Sequence, residues 1–236
     1  MLTPKILVLN GSPRKYGSSS QLAGIVMKGI LDAGGIGEEI FLYDYDIKPC
    51  KGCVSDGNKY CKFPCVINDD FNQIGMKILS SDGLVITTPV YWYAPSGVLK
   101  NFIDRLTSME HMIFKAGRSL LEGKVAGFVV TGLDSGVMMT ISYLITVFNS
   151  MGVHIIPWSM AYSHLEDVSV DEQALRDAYN VGYIAVLTAK ALKSFGQHIG
   201  YRPDVDIKVL AEIARKRYLD NIDKREERIR GFESLF

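Results

Sequence analysis

Four cysteines, Cys50, Cys53, Cys61 and Cys65, fall within a sixteen-residue stretch, and the chain has no others. Thiolates gathered in this way bind soft metals or carry out redox chemistry. Disulfide stapling is the weaker reading in a chain of this size without a secretion signal. Their spacing is Cys-x2-Cys-x7-Cys-x3-Cys. Four thiolates serve an iron–sulfur cluster and tetrahedral zinc equally well, and free thiols in a structural loop are a third option.

A second chemistry resides in the run Asn10-Gly11-Ser12-Pro13-Arg14-Lys15-Tyr16-Gly17-Ser18-Ser19-Ser20. Its small residues let backbone amides approach an anion, its serines add donors, and Arg14 offers a forked, permanent cation. Such a loop opening a helix suits a phosphate, because the first helical amides lack partners and the dipole is positive there. No Gly-Lys-Ser/Thr closes it, so it is not a Walker loop, and Gly-x-Gly-x-x-Gly is absent. Gly35-Ile36-Gly37 looks like a fragment of that fingerprint, but it lies between a helix and the next strand. Further along, Thr88 to Gly97 places Tyr91, Trp92 and Tyr93 side by side. Aromatic faces and backbone amides together can hold a flat polar ring system, whereas the blander reading is an aromatic plug or an oligomer contact. Thr131-Gly132-Leu133-Asp134-Ser135-Gly136 is a third small polar loop.

These loops need a frame that brings them together. Apolar runs over 5–11, 39–43, 83–88, 124–131 and from 154 read as strands, the third ended by Pro89. Helical spacing covers 18–33, 69–81, 96–109, 136–151 and 171–195, with Ser18 or a neighbouring serine capping the first. A last helix runs over about 204–230. Alternating strands and helices imply a doubly wound, five-stranded parallel sheet, built by right-handed crossovers and covered on both faces. Such sheets bind ligands beyond the carboxyl ends of their strands, so the loops after strands one, three and four share one rim. One domain over 1–200 is expected, with a cysteine-rich loop over 48–68 after strand two. A C-terminal helical extension follows over 201–236.

Composition narrows the function. Twenty-six basic and twenty-six acidic residues cancel, so no general attraction to nucleic acid or anionic membrane is expected. The apolar stretch Val137–Val153 is interrupted by polar residues and reads as a buried helix. Met1 to Lys5 runs straight into a strand without the ordered regions of a signal peptide, which points to the cytoplasm. His111, His154, His164 and His198 stand apart from one another and read as packed or surface residues. Asp104 and Arg105 read as a structural pair at a helix end. The basic residues of the last helix alternate with acidic ones, as in a solvated or oligomer-forming helix.

Gly11-Ser12-Pro13-Arg14 followed by Gly17-Ser18-Ser19 resembles the phosphate loop of the NADPH-dependent FMN reductase family. Pro89-Val90-Tyr91-Trp92 and Leu99 to Arg105 resemble that family's second signature. Pro49-Cys50-Lys51-Gly52-Cys53 and Cys65 to Phe71 are similar to the cysteine segment of its iron–sulfur flavoprotein branch. The branch's pattern is more compact, Cys-x2-Cys-x2-Cys and then a fourth cysteine, so Val54–Tyr60 behaves as an insertion. The likeness covers roughly residues 5 to 165. It implies a flavodoxin-like fold, FMN, and a homo-oligomer, dimer or tetramer, in which a neighbouring subunit helps enclose the flavin. By position, it implies that Ser12, Arg14, Ser18, Ser19 and Ser20 hold the FMN phosphate. Pro89, Val90, Tyr91, Trp92 and Tyr93 would line the ring, and Thr131 and Gly132 would touch its other side. It also tips the four cysteines toward a [4Fe–4S] cluster.

Three functions follow. The first is an electron-transfer flavoprotein that passes electrons between FMN, a cluster and a small or protein redox partner. The second is an NAD(P)H-dependent reductase of free flavin or quinones, with any metal only structural. The third is a non-enzymatic, metal-stapled interaction or sensor protein.

Overall fold

The structure, a computed structural model, describes residues 3–56, 61–197 and 199–233. His198 and the end of the expected 54–60 insertion lie outside the described residues. The chain divides after Tyr201 into two compact units.

The first unit begins with β1 (Lys5–Asn10), α1 (Ser18–Asp32), β2 (Ile36–Phe41), α2 (Phe71–Leu79) and β3 (Gly83–Tyr91). It continues with β4 (Ala94–Pro95), α3 (Gly97–Glu110), α4 (Ile113–Ala116), β5 (Val125–Thr131), α5 (Val137–Ser150), β6 (His154–Ser163) and α6 (Glu172–Phe195). The long strands lie in the order β2-β1-β3-β5-β6, and all pair in parallel. This is the flavodoxin-like order, and β4 adds only a short antiparallel hairpin on β3.

The sheet is buried on both sides, which is why β1, β3 and β5 read as unbroken apolar runs. Alternate residues separate onto the two faces. Leu7, Leu9, Leu84, Ile86 and Phe128 meet Phe71, Phe102 and Phe148 in one core. Ile6, Val8, Val85 and Val129 meet Leu22, Val26, Ile30, Ala178 and Val186 in the other. In this second core α1 and α6 touch backbone to backbone. A Cβ on Gly29 would strike the Tyr179 carbonyl, and one on Gly182 would strike the Val26 carbonyl.

Several expectations need correction. Pro89 does not end β3, which runs on to Tyr91. Thr87 accepts from the Gly11 amide at 2.8 Å, so the missing N–H of Pro89, two residues on, faces the side where β1 has already stopped. Gly37 lies within β2, whose register begins at Lys5↔Ile36. Its lack of a side chain admits Met27 of α1. No serine caps α1; Gly17 holds that position in extended geometry with no side-chain cap, while the Ser18 hydroxyl donates to the Glu166 carbonyl.

The second unit contains α7 (Ile207–Leu219) and α8 (Ile222–Glu233) instead of the single helix expected. Asp206 starts α7 by accepting from the Lys208 amide at 2.9 Å. Asp220 and Asn221, poor helix formers, separate the two, and Asn221 folds back onto the Arg217 carbonyl at 2.8 Å. Among the described residues, no helix is long and apolar enough to cross a membrane.

Candidate functional site

The loop after β1 is built around Asn10. Its Oδ1 accepts from the Ser12 amide at 2.9 Å, and its Nδ2 donates to Ser20 Oγ and Glu39 Oε1. The Ser12 and Ser20 hydroxyls both donate to the Arg14 carbonyl, at 3.0 and 2.9 Å. These contacts fix a tight turn that delivers the chain to α1. Because no side chain caps α1, its first amides remain available for an anion. Lys15 turns away to Asp44 at 2.6 Å, leaving Arg14 as the loop cation on the cavity side.

The loop after β3 has unusual backbone geometry. Trp92 and Tyr93 both have positive φ, 50° and 62°. They form the two-residue hairpin turn joining β3 to β4, a position that favours Asn-Gly. Holding bulky residues there costs of the order of 1–3 kcal/mol each, so the surroundings must over-determine the turn. They do so on one side: Tyr93 OH lies 3.2 Å from Ser135 Oγ, and a Cβ on Gly136 would meet the Tyr93 ring at 2.8 Å. Ser96, just before α3, donates its hydroxyl to the Gly11 carbonyl at 2.6 Å, and its amide donates to Thr88 Oγ1 at 3.2 Å. The first and third loops are thereby tied together. The Gly132 amide donates to the Ser163 carbonyl at 3.1 Å, and His164 Nδ1 lies 2.9 Å from the Gly132 carbonyl oxygen.

Between these loops lies a cavity of about 550 Å³. Every residue predicted for the flavin site lines it except Ser20, although the Ser12 hydroxyl, like that of Ser20, is committed to the Arg14 carbonyl. Tyr16, Gln21, Leu133, Leu165 and Glu166 also line it and were not foreseen. The residues fit FMN: a helix start with free amides and an arginine at one end, and aromatic faces at the other. The cavity also has the size usual for such ligands.

The four cysteines are free thiols. All four line a second, smaller cavity of about 60 Å³, with Asp104, Arg105, Thr107 and Ser108 of α3 as its wall. Among the described residues, no three His, Cys, Asp or Glu side chains converge closely enough to hold an ion as they stand. The donor chemistry nevertheless fits a soft metal. Burial pushes the Cys61 thiol above its ordinary pKa, and the Cys50, Cys65 and Cys53 thiols push the same way. Thiols that oppose one another's ionisation are relieved by a shared cation.

The base of the cysteine segment is fastened to the frame. The Asp70 amide donates to the Asp46 carbonyl at 3.0 Å, and the Asp46 amide to Asp70 Oδ2 at 2.8 Å. Phe63 lies against Gly75, where any side chain would strike its ring. The expected Asp104–Arg105 pair does not form, because adjacent helical residues face different ways. Asp104 pairs with Lys100 at 2.6 Å, and Arg105 reaches across to Asp69. Burial alone would raise the Asp69 carboxyl, but hydrogen bonds from Arg105 and from the Lys48 and Phe71 amides hold it below its ordinary pKa.

Comparison with known proteins places this arrangement. The profile of the NADPH-dependent FMN reductase family matches residues 4–166. An "Iron-sulfur flavoprotein" of Archaeoglobus fulgidus is 26% identical over 75% of this chain and 77% of its own length. Another from the same organism is 36% identical over 56% of this chain, which spans 61% of that relative. The fold of RosB, solved with a bound formylated riboflavin phosphate intermediate, superposes with a TM-score of 0.68. That likeness covers 91% of this chain and 88% of RosB at 20% identity. The chain belongs to the NADPH-dependent FMN reductase family and is a flavin-dependent oxidoreductase.

Proposed function

We propose that FMN occupies the rim cavity, that Cys50, Cys53, Cys61 and Cys65 hold a [4Fe–4S] cluster, and that electrons pass between the two and an external redox partner. One observation carries the reading: all four cysteines line a single cavity on the flank of α3, the helix whose N-cap residue Ser96 is hydrogen-bonded to the loop after β1. FMN supplies a ring that accepts one or two electrons and so can work with a one-electron centre. The chain's own residues bind and orient it. Ser12, Ser18, Ser19 and the first amides of α1 take the phosphate, with Arg14 as counter-charge. Pro89 to Tyr93 line the ring, and Thr131 and Gly132 bound its other side. Ser20 braces the loop from behind.

Arg14 is exposed and holds no element in place, so Arg14→Ala is expected to leave the fold intact. Loss of a charge-assisted phosphate contact should weaken FMN binding by about ten- to a hundred-fold. Titration of apoprotein with FMN measures this, and unchanged affinity would remove Arg14 from the phosphate site.

A second reading, an NAD(P)H-dependent reductase of FMN or quinones with no cluster, draws on the lack of three converged ligands among the described residues. Visible absorption of anaerobically purified protein separates the two. Flavin with a broad iron–sulfur band supports the first, flavin alone supports the second, and a colourless protein rejects both.

The cavity rim also bears on assembly. Trp92 is 94% exposed, and Tyr91, Tyr93, Leu133 and Leu165 stand exposed around it. An apolar rim of this kind calls for cover, and a second copy of the chain would supply it while shielding the flavin from water. Light scattering of the FMN-loaded protein is expected to give a dimer or tetramer. A strict monomer at micromolar concentration would count against this arrangement.

A further inference from the structure

Arg105 is out of place in its own helix. The inner face of α3 carries Leu99, Phe102, Ile103, Leu106 and Met109, all buried, and Arg105 among them is 1% exposed. A guanidinium removed from water is strongly disfavoured unless it is paired and hydrogen-bonded. Nη1 donates to the Lys48 carbonyl at 3.0 Å and also to Asp69, and Nη2 donates to Asp69 Oδ1 at 3.0 Å. The group lies over the Phe71 ring, 4.7 Å from its centroid. Among the described residues, Nε has no partner in hydrogen-bond geometry. Arg105 lines the same small cavity as the Cys65 thiol.

Cys65 is held independently at its backbone. Its amide donates to Asn72 Oδ1 and its carbonyl accepts from Asn72 Nδ2, both at 2.8 Å. Asp69, meanwhile, is shared: the Lys48 and Phe71 amides donate to it at 2.9 and 3.1 Å besides the guanidinium. Asp104, the other carboxylate of the cavity wall, is occupied by Lys100 on the solvent side. Of the cations lining this cavity, Lys51, Lys62 and Arg105, the arginine is the one buried in the wall, and it has no proton to lose at any accessible pH.

We propose that Arg105 is a positioning residue for the metal site, donating to the Cys65 sulfur when that sulfur is a thiolate ligand and favouring the reduced, more negatively charged state of the cluster. The proposal rests on the reading that the four cysteines bind a [4Fe–4S] cluster. The redox step it concerns adds one electron from an external low-potential reductant, with no bond made or broken and no proton moved. Hydrogen bonds to cluster sulfurs and nearby net charge are the protein's means of setting such an equilibrium.

The test uses the full chain, purified anaerobically, as wild type, Arg105→Gln and Arg105→Lys. Iron, acid-labile sulfide and FMN are quantified, and the cluster is then titrated with dithionite at controlled potentials while its paramagnetic signal is followed. Arg105→Gln is expected to keep FMN, iron and sulfide but to be reduced about tenfold less favourably, a shift of about 59 mV to more negative potential for one electron. Arg105→Lys, which keeps the charge, should recover part of that shift. Should unpaired Asp69 prevent Arg105→Gln from folding, the double variant Asp69→Asn, Arg105→Gln leaves the net charge unchanged and reads the lost sulfur hydrogen bond alone, with a smaller shift in the same direction expected. Identical potentials in folded, fully loaded variants would overturn the proposal and leave the cluster intact. Zinc without sulfide in the wild type would overturn it by a different route, through the metal count, and would take the cluster reading with it.

Discussion

Cys53→Ala protein, purified without oxygen, is expected to lack iron and acid-labile sulfide and yet remain yellow with FMN. The site's four thiols are the chain's only cysteines, and among the described residues no His lines their cavity to replace a missing ligand. A cluster held by three thiolates should not survive purification, so the loss is expected to be near complete. FMN should stay, because the loops after β1, β3 and β5 contain no residue of the cysteine segment. The fold should stay as well, since the ends of that segment are fastened by Asp46, Asp70, Asp69 and Arg105 without help from Cys53. Retained iron and sulfide at wild-type ratio would remove Cys53 from the ligand set. Simultaneous loss of FMN would mean that the two sites are coupled more closely than their residues indicate.

Gly182→Ala should be among the most destabilising single methyl additions available in this chain. The new Cβ would enter the Val26 carbonyl, and the opposing Gly29 offers no relief because its own Cα faces the Tyr179 carbonyl. Backbone cannot rotate aside as a side chain can, so α1 and α6 must separate and loosen the core they share. Overpacking of this kind costs about 3 kcal/mol, or a fall of roughly 6–12 °C in Tm for a chain of this size. Gly24→Ala on the same α1 is the control. Nothing lies within 4 Å of the Cβ it would acquire. Replacing a helical glycine there should stabilise by about 0.5–1 kcal/mol. Equal melting temperatures for the two variants would show that the helix crossing is not as tight as described.

The same glycines show what sequence reading reaches. Gly29 and Gly182 sit inside clear helical patterns, and a glycine there signals only that something comes close. What comes close is a carbonyl from a helix some 150 residues away in the chain. The turn after β1 was legible because it is local: strand, turn, serines and helix start follow one another. Ser20 was placed with the other serines because spacing alone does not reveal which of them line the cavity. Pro89 misled because a proline ends a strand only where its missing donor would have faced a neighbour. Arg105 left a trace that could have been read further: an arginine at helical spacing among Phe102, Leu106 and Met109 must have a buried partner. Its identity, Asp69, depends on how α2 and α3 lie together, and helical spacing within α3 alone does not carry that information.

The fastening of the cysteine segment at Asp46 and Asp70 has an evolutionary consequence. A stretch whose two ends are already joined behaves as a cassette, because the frame meets only its closed base. For such a loop, each doubling of length costs only about 0.6 kcal/mol in closure entropy. The longer gap before Cys61, set against the compact pattern this segment resembles, is therefore nearly free for the rest of the protein. Lineages could lengthen, trim or exchange ligands inside that bracket while the sheet, its rim and the flavin loops continued unchanged. On this view the metal chemistry of such proteins can diversify faster than their fold.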